Sequence, residues 1–202
     1  SDIDFLKTLP RREIICGYGE ILKHSLISNK KFFLFLNKNA SKILDLKNPY
    51  IEKSIKESCL IKKNIIQIDE KENNLRKVLN FGHTFAHAYE ATLKYSKKLN
   101  HGEAVLLGIM SASKFSFEKK LLNKNEFNLI KNHLINFKLP RNINNNFTKK
   151  NLNQIISFMK KDKKNNSQKI NLVLLKKIGT PNFNLEFQNK ELYSFLKKEL
   201  IN

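Results

Sequence analysis

Apolar residues in this chain recur with the period of an α-helix over most of its length, and that period changes only once. From Arg11 to Ser28, the residues Ile14, Ile15, Tyr18, Ile21, Leu22 and Leu26 fall on one face, the spacing of a helix that buries a single stripe. The same spacing predicts helices over Lys30 to Leu46, Gly82 to Tyr95, Gly102 to Lys120, Lys124 to Phe137, Lys149 to Lys161 and Lys190 to Ile201. Asn48-Pro49 offers a cap and first turn for a further helix reaching about Ile68. Near the end, Ile170, Leu172 and Leu174 alternate with other residues, as do Phe183, Leu185 and Phe187, with Gly179-Thr180-Pro181 between the runs. Alternation on both sides of a turn predicts a hairpin. The expected fold class is therefore mainly α, with a small β-hairpin near the C-terminus.

With 202 residues, 41% of them hydrophobic, the chain is long enough for one domain with a real core and too short to demand two. Cys16 and Cys59 match no paired-cysteine metal or redox spacing, so free, mostly buried thiols in a reducing compartment are expected. No apolar run reaches the length of a membrane span and no signal-peptide pattern opens the chain, so a soluble, cytoplasmic protein without a membrane partner is expected. The start on Ser1-Asp2-Ile3-Asp4, without Met, is that expected of a piece of something larger. A net charge of +20 raises the question of nucleic acid, but the lysines are scattered through Lys- and Asn-rich stretches and no RNP, zinc-finger or helix-turn-helix pattern accompanies them. The expectation is no nucleic-acid partner and a field that favours small anionic substrates. The six glycines form no dinucleotide-binding fingerprint.

Three segments carry chemistry that a packed core does not need: Gly19 to Lys23, Asn80 to His87, and Asn100 to Ala104. Between them they offer histidines and a carboxylate, the ligand set of a zinc that keeps one coordination position open. Taken singly, each has a plainer explanation. Glu20 and Lys23, three apart on a helix, make a surface ion pair, although Gly17 and Gly19 beside them point to close approach of another group. His83 and His87, four apart, face the same way, and spacing alone pairs these two. His101, at the start of the next helix, returns toward them if Ser96 to Asn100 form a turn. Lys62 interrupts the otherwise apolar stripe Ile51, Ile55, Cys59, Ile66; it either snorkels to solvent or is kept inside to meet an anion.

The order of these blocks resembles the 3-dehydroquinate synthase family, specifically its C-terminal helical domain. The resemblance runs from Leu6-Lys7-Thr8-Leu9-Pro10-Arg11-Arg12-Glu13 through Gly17 to Lys23, Asp69-Glu70, Leu75 to Thr84, His87, and His101-Gly102-Glu103-Ala104, to Asp162-Lys163-Lys164. Phe81 stands where Leu is more usual, and His24 where an aromatic Tyr is common. The resemblance implies Glu20, His83 and His101 as ligands of zinc or cobalt, overriding the His83 and His87 pair, and sets His87 beside the substrate. It implies substrate contacts from Lys23, Lys62, Arg76, Asn80 and one of Lys163 or Lys164, and a strip touching NAD at Phe5, Leu6, Lys7 and Thr8.

The implied activity is that of an NAD- and zinc-dependent carbon–oxygen lyase of the shikimate pathway, in aromatic amino acid biosynthesis. It takes 3-deoxy-D-arabino-heptulosonate 7-phosphate, a small anionic sugar phosphate, to 3-dehydroquinate and phosphate; a related sugar-phosphate cyclase and a non-enzymatic metal-binding domain derived from this family are the alternative readings. On this resemblance, residues 1–10 are a hinge from a missing N-terminal nucleotide-binding domain, residues 11–202 are the metal and substrate domain, and the full-length enzyme is a homodimer.

Overall fold

The computed structural model describes residues 3–161 and 169–201. Among the described residues, eight α-helices and one hairpin follow in order: α1 (Arg11–Ser28), α2 (Lys30–Leu44), α3 (Tyr50–Ile68), α4 (His83–Thr92), α5 (His101–Glu118), α6 (Lys124–Asn136), α7 (Leu152–Lys161), β1 (Lys169–Lys177), β2 (Thr180–Gln188) and α8 (Asn189–Glu199). The mainly helical class with a C-terminal hairpin is as expected. Among the described residues, no helix is long and apolar enough to cross a membrane.

The centre of the fold is α5, buried almost all round from Gly102 to Ser116. A helix apolar on every side has to be enclosed by others, and α1 and α4 lie against it. Two backbone contacts set the spacing. A Cβ on Gly102 would stand 2.3 Å from the Cα of Cys16, and one on Gly108 would stand 2.2 Å from the carbonyl oxygen of Gly82. Only glycine allows helices to approach this closely. Gly82 itself has φ 78° and turns the chain into α4.

The helix α1 buries Leu22 and Leu26 completely, each contributing about 1.5–3 kcal/mol of hydrophobic burial. Beneath it, the Tyr18 hydroxyl bonds His133 Nε2 at 2.9 Å, and His133 Nδ1 bonds Asn37 Oδ1 at 2.9 Å. This chain joins α1, α6 and α2.

The buried face of α3 differs in phase from the expected stripe. Ile51, Ser54, Ser58 and Ile61 face inward, while Cys59 and Lys62 are exposed. The serines can be buried because each finds a partner. Ser54 Oγ donates to the Tyr50 carbonyl at 2.7 Å, and Ser58 Oγ meets His24 Nδ1 at 2.7 Å. Pro49 is the residue before the first helical position rather than within the first turn. The expectation of buried thiols fails with the same shift: Cys59 is exposed and Cys16 half-buried.

Antiparallel pairing sets Ile170 opposite Phe187 and Leu172 opposite Leu185. The turn at Gly179 (φ 84°) is tied to α1, where its N–H donates to the Leu26 carbonyl at 2.7 Å. The 3-10 helix Leu75–Asn80, which periodicity did not predict, links α3 to α4 and passes beside the hairpin.

Candidate metal centre

Glu20 on α1, His83 at the first position of α4 and His101 at the first position of α5 meet above the glycine contacts. One ligand atom from each lies within 4.8 Å of the others. His83 Nε2 stands 3.6 Å from Glu20 Oε1. The imidazole rings of His83 and His101 are 5.6 Å apart between centroids. Glu20 Oε1 is buried and has no hydrogen-bond partner among the described residues. A buried carboxylate oxygen left unpaired is costly, and two nearby imidazoles with one carboxylate form a donor set suited to a divalent transition metal. The residues fit such an ion.

The electrostatics set the charge that each group carries. Burial works against the Glu20 charge, but the Lys23 ammonium, donating to Oε2 at 2.8 Å, outweighs it and holds the carboxyl below its usual range. Lys23 is only 3% exposed, so the pair is no surface ion pair. Burial lowers the Lys23 ammonium in turn, with Glu20 opposing. Burial, then the Lys23 charge, pushes His83 down to about 3, leaving a neutral imidazole. His101 goes the other way, raised by its hydrogen bond to Glu90.

Each helix end that carries a candidate ligand is fixed locally. Glu103 forms a capping box with Asn100, accepting its N–H at 2.9 Å. Arg12 grips both Glu103 oxygens, at 2.7 and 2.5 Å, and donates to the Lys97 and Lys98 carbonyls at 2.8 and 3.1 Å. That clamp holds the turn before His101 against α1. On the other side of Glu20, His24 is 4% exposed. Its Nδ1 is occupied by Ser58, its Nε2 has no hydrogen-bond partner among the described residues, and burial pushes it down to about 4.

A cavity of about 440 Å³ opens beside the three groups, with Lys23, Lys62, Arg76 and Asn80 in its wall. The expected substrate contacts in the described residues thus face one space, and Lys62 reaches it from an exposed position. The Arg76 backbone N–H donates to Asp69 Oδ2 at 2.9 Å, and its guanidinium to the Glu70 carbonyl at 2.6 Å. Asn80 Nδ2 donates to Glu72 Oε1 at 2.9 Å. A second cavity, of about 400 Å³, runs from Asn80, His83 and His87 toward Asn171 and Asn184 of the hairpin. His87 is exposed, its ring stacked on His101 at 6.2 Å. Lys163 and Lys164 lie outside the described residues.

Phe5, Leu6, Lys7 and Thr8 form an exposed 3-10 helix (Ile3–Thr8) at the edge of the domain. Leu6 faces an apolar cleft between α1 and α3, and the Phe5 ring is open to solvent. Sequence reasoning missed Glu72 and Glu90 at this site. Glu90 had a signal, since His83, His87 and Glu90 share one face of α4 at i, i+4 and i+7.

Comparison with known proteins places these features in a family. A family model described as the 3-dehydroquinate synthase C-terminal region matches residues 17–165. The chain is 64% identical over 200 residues to a 3-dehydroquinate synthase of Pelagibacter ubique, covering 99% of this chain and 54% of the relative. It is 38% identical over 197 residues to that of Thermodesulfovibrio yellowstonii, covering 98% and 54%. The chain therefore spans about half the length of these relatives. Two solved structures share the fold. The 2-epi-5-epi-valiolone synthase of Streptomyces hygroscopicus subsp. jinggangensis, with NAD+ and Zn2+ bound, has a TM-score of 0.81 at 21% identity, covering 98% of this chain and 54% of its own. A 2-deoxy-scyllo-inosose synthase complexed with carbaglucose-6-phosphate, NAD+ and Co2+ has a TM-score of 0.78 at 19% identity, covering 95% and 53%. The match to the family model and the identity to its curated members establish that this chain belongs to the 3-dehydroquinate synthase family.

Proposed function

We propose that this chain is the metal- and substrate-binding half of a cytoplasmic 3-dehydroquinate synthase, a carbon–oxygen lyase of the shikimate pathway. It would act on 3-deoxy-D-arabino-heptulosonate 7-phosphate and release phosphate. The observation that carries the reading is the convergence of Glu20, His83 and His101 on the wall of a cavity lined by basic side chains. The names of the relatives support it, as do the NAD+ and Zn2+ or Co2+ held by the two structural neighbours. On this reading residues 1–10 are the hinge from a nucleotide-binding domain, residues 11–202 are the metal and substrate domain, and the full-length enzyme is a homodimer.

Glu20, His83 and His101 would hold the divalent ion. When bound, that ion supplies Lewis acidity toward a substrate hydroxyl oxygen, and NAD supplies the hydride acceptor. The chain's own residues do the rest. Arg76 offers a planar fork to a phosphate or carboxylate, and Lys62 and Lys23 offer point charges. Asn80, with its Nδ2 committed to Glu72, keeps its Oδ1 for a substrate hydroxyl. His87, exposed in the wall of the second cavity, can accept or return a proton there. Lys163 or Lys164 would add charge over the phosphate, and Phe5 to Thr8 would border the cofactor.

The test is phosphate release from 3-deoxy-D-arabino-heptulosonate 7-phosphate after this chain is joined to the N-terminal half of the Pelagibacter ubique relative. NAD- and metal-dependent release is expected from the fusion. The chain alone should be inactive, because losing the positioning of NAD against substrate forfeits on the order of 7–11 kcal/mol in favourable cases. A fusion that binds NAD and metal yet releases no phosphate would overturn the proposal, as would full activity of the chain by itself.

A further inference from the structure

We infer that Glu90 is the positioning residue of the metal centre, fixing His101 in the tautomer that presents Nε2 as a metal ligand. The inference rests on the metal-binding reading of His101 given above.

The Glu90 side chain is only 11% exposed, on a helix whose neighbouring inward positions, Ala86 and Tyr89, are apolar or aromatic. An apolar residue would be the ordinary choice there, since a buried carboxylate is costly unless paired. Its polar partner among the described residues is His101, whose Nδ1 lies 3.1 Å from both carboxylate oxygens. Two acceptor oxygens equidistant from one ring nitrogen are attractive only if that nitrogen carries the proton. Nδ1 is therefore N–H, and in the neutral ring Nε2 is left with the lone pair. A free imidazole can turn about its side-chain bonds and exchange tautomers; this one is held by a group on α4, the helix that also carries His83. A carboxylate bonded to the far nitrogen of a coordinating histidine orients the ring and raises its basicity, and its removal typically weakens metal binding 10–100-fold. Glu90 thus ties the α5 ligand to the α4 ligand without touching the ion.

The experiment measures Co2+ binding to the purified 202-residue chain by competition with a chromophoric chelator, together with the visible Co2+ spectrum. In parallel, long-range 1H–15N NMR of the metal-free protein reads the His101 tautomer at alkaline pH, where the ring is neutral. Glu90→Ala should weaken Co2+ binding about 10–100-fold and move His101 from the Nδ1–H toward the Nε2–H form. Glu90→Gln keeps an acceptor oxygen, so it should retain the Nδ1–H form and recover most of the affinity; it also decides the matter if Glu90→Ala does not fold. Unchanged affinity and an unchanged Nδ1–H signal in folded Glu90→Ala would overturn the inference alone, as would a folded Glu90→Gln that lost the Nδ1–H form yet bound Co2+ as tightly as the parent. If the unaltered chain binds no Co2+, or His101→Ala binds it equally well, the metal-centre reading fails and the inference falls with it.

Discussion

Glu20 Oε1 and His83 Nε2 face each other at 3.6 Å across the boundary of α1 and α4, and that carboxylate oxygen is buried with no hydrogen-bond partner among the described residues. An acceptor and a largely unprotonated imidazole held this close, with His101 beside them, make a donor set that would suit a shared cation.

Zinc stoichiometry and affinity should therefore depend on three side chains and not on a fourth. His101→Ala and Glu20→Gln are expected to weaken Zn2+ binding by more than about 100-fold, beyond the range for loss of an outer partner. His87→Ala should leave stoichiometry intact. Metal analysis after dialysis and chelator competition give the answer, and loss of binding in His87→Ala with retention in His101→Ala would reverse the assignment.

Acid should destabilise the fold through His133. Burial pushes this imidazole down to about 4 from its ordinary 6.5, so the folded protein resists a proton that the unfolded chain accepts. The contribution is complete above about pH 6.5 and is lost as pH falls toward 4, a total on the order of 3 kcal/mol. Urea denaturation from pH 8 to pH 4 should show this slope, and His133→Gln should flatten it relative to the parent. Parallel pH profiles for the two proteins would refute the assignment.

Gly102→Ala should be harmful out of proportion to its size. The added methyl would meet the Cys16 backbone, which cannot rotate away, so α1 and α5 must part. A loss of about 1–3 kcal/mol is expected, with weaker metal binding because Glu20 and His101 move apart with their helices. Denaturant midpoints and Co2+ titration on the same sample would register both effects; unchanged values would mean that the helices are free to slide.

The loop that leads to Arg76 hangs on Asp69, whose carboxylate accepts the N–H groups of Asn73, Asn74 and Arg76 at 2.9, 2.8 and 2.9 Å. Hydrogen exchange at these three amides should accelerate roughly 5–10-fold in Asp69→Ala, the equivalent of about 1 kcal/mol per bond. The remaining helices should exchange as before. Unaltered protection in the loop would show that other contacts hold it.

Much of this architecture is legible in the sequence, for reasons that differ from element to element. The ends of α1 and the alternation of Ile170, Leu172 and Leu174 follow from a single buried face, which periodicity reads directly. The phase of α3 does not follow, because Ser54 and Ser58 are buried through hydrogen bonds to Tyr50 and His24 that only the fold reveals. The end of α4 is misjudged by three residues: the helix stops at Thr92, and Lys94 and Tyr95 turn with positive φ. At the site, spacing alone favours His83 with His87, which share a helix. The arrangement seen instead draws Glu20, His83 and His101 from three helices, and residues so distant in sequence are brought together by packing alone. The family resemblance, carried by the order of whole blocks, supplied what local spacing could not. Glu90 lay within reach of the same heptad reasoning, but its meaning depends on where His101 falls.

The contacts of Gly102 with Cys16 and of Gly108 with Gly82 set the spacing of the helices that carry Glu20, His83 and His101. The centre is thus dimensioned by positions that carry no chemistry and line no part of the ligand set. Sequence drift at the surrounding leucines and phenylalanines can be absorbed by rotamer changes, whereas drift at these backbone crossings cannot. A descendant could rewrite the cavity wall freely, but to keep Glu20, His83 and His101 within reach of one another it would have to inherit the glycines.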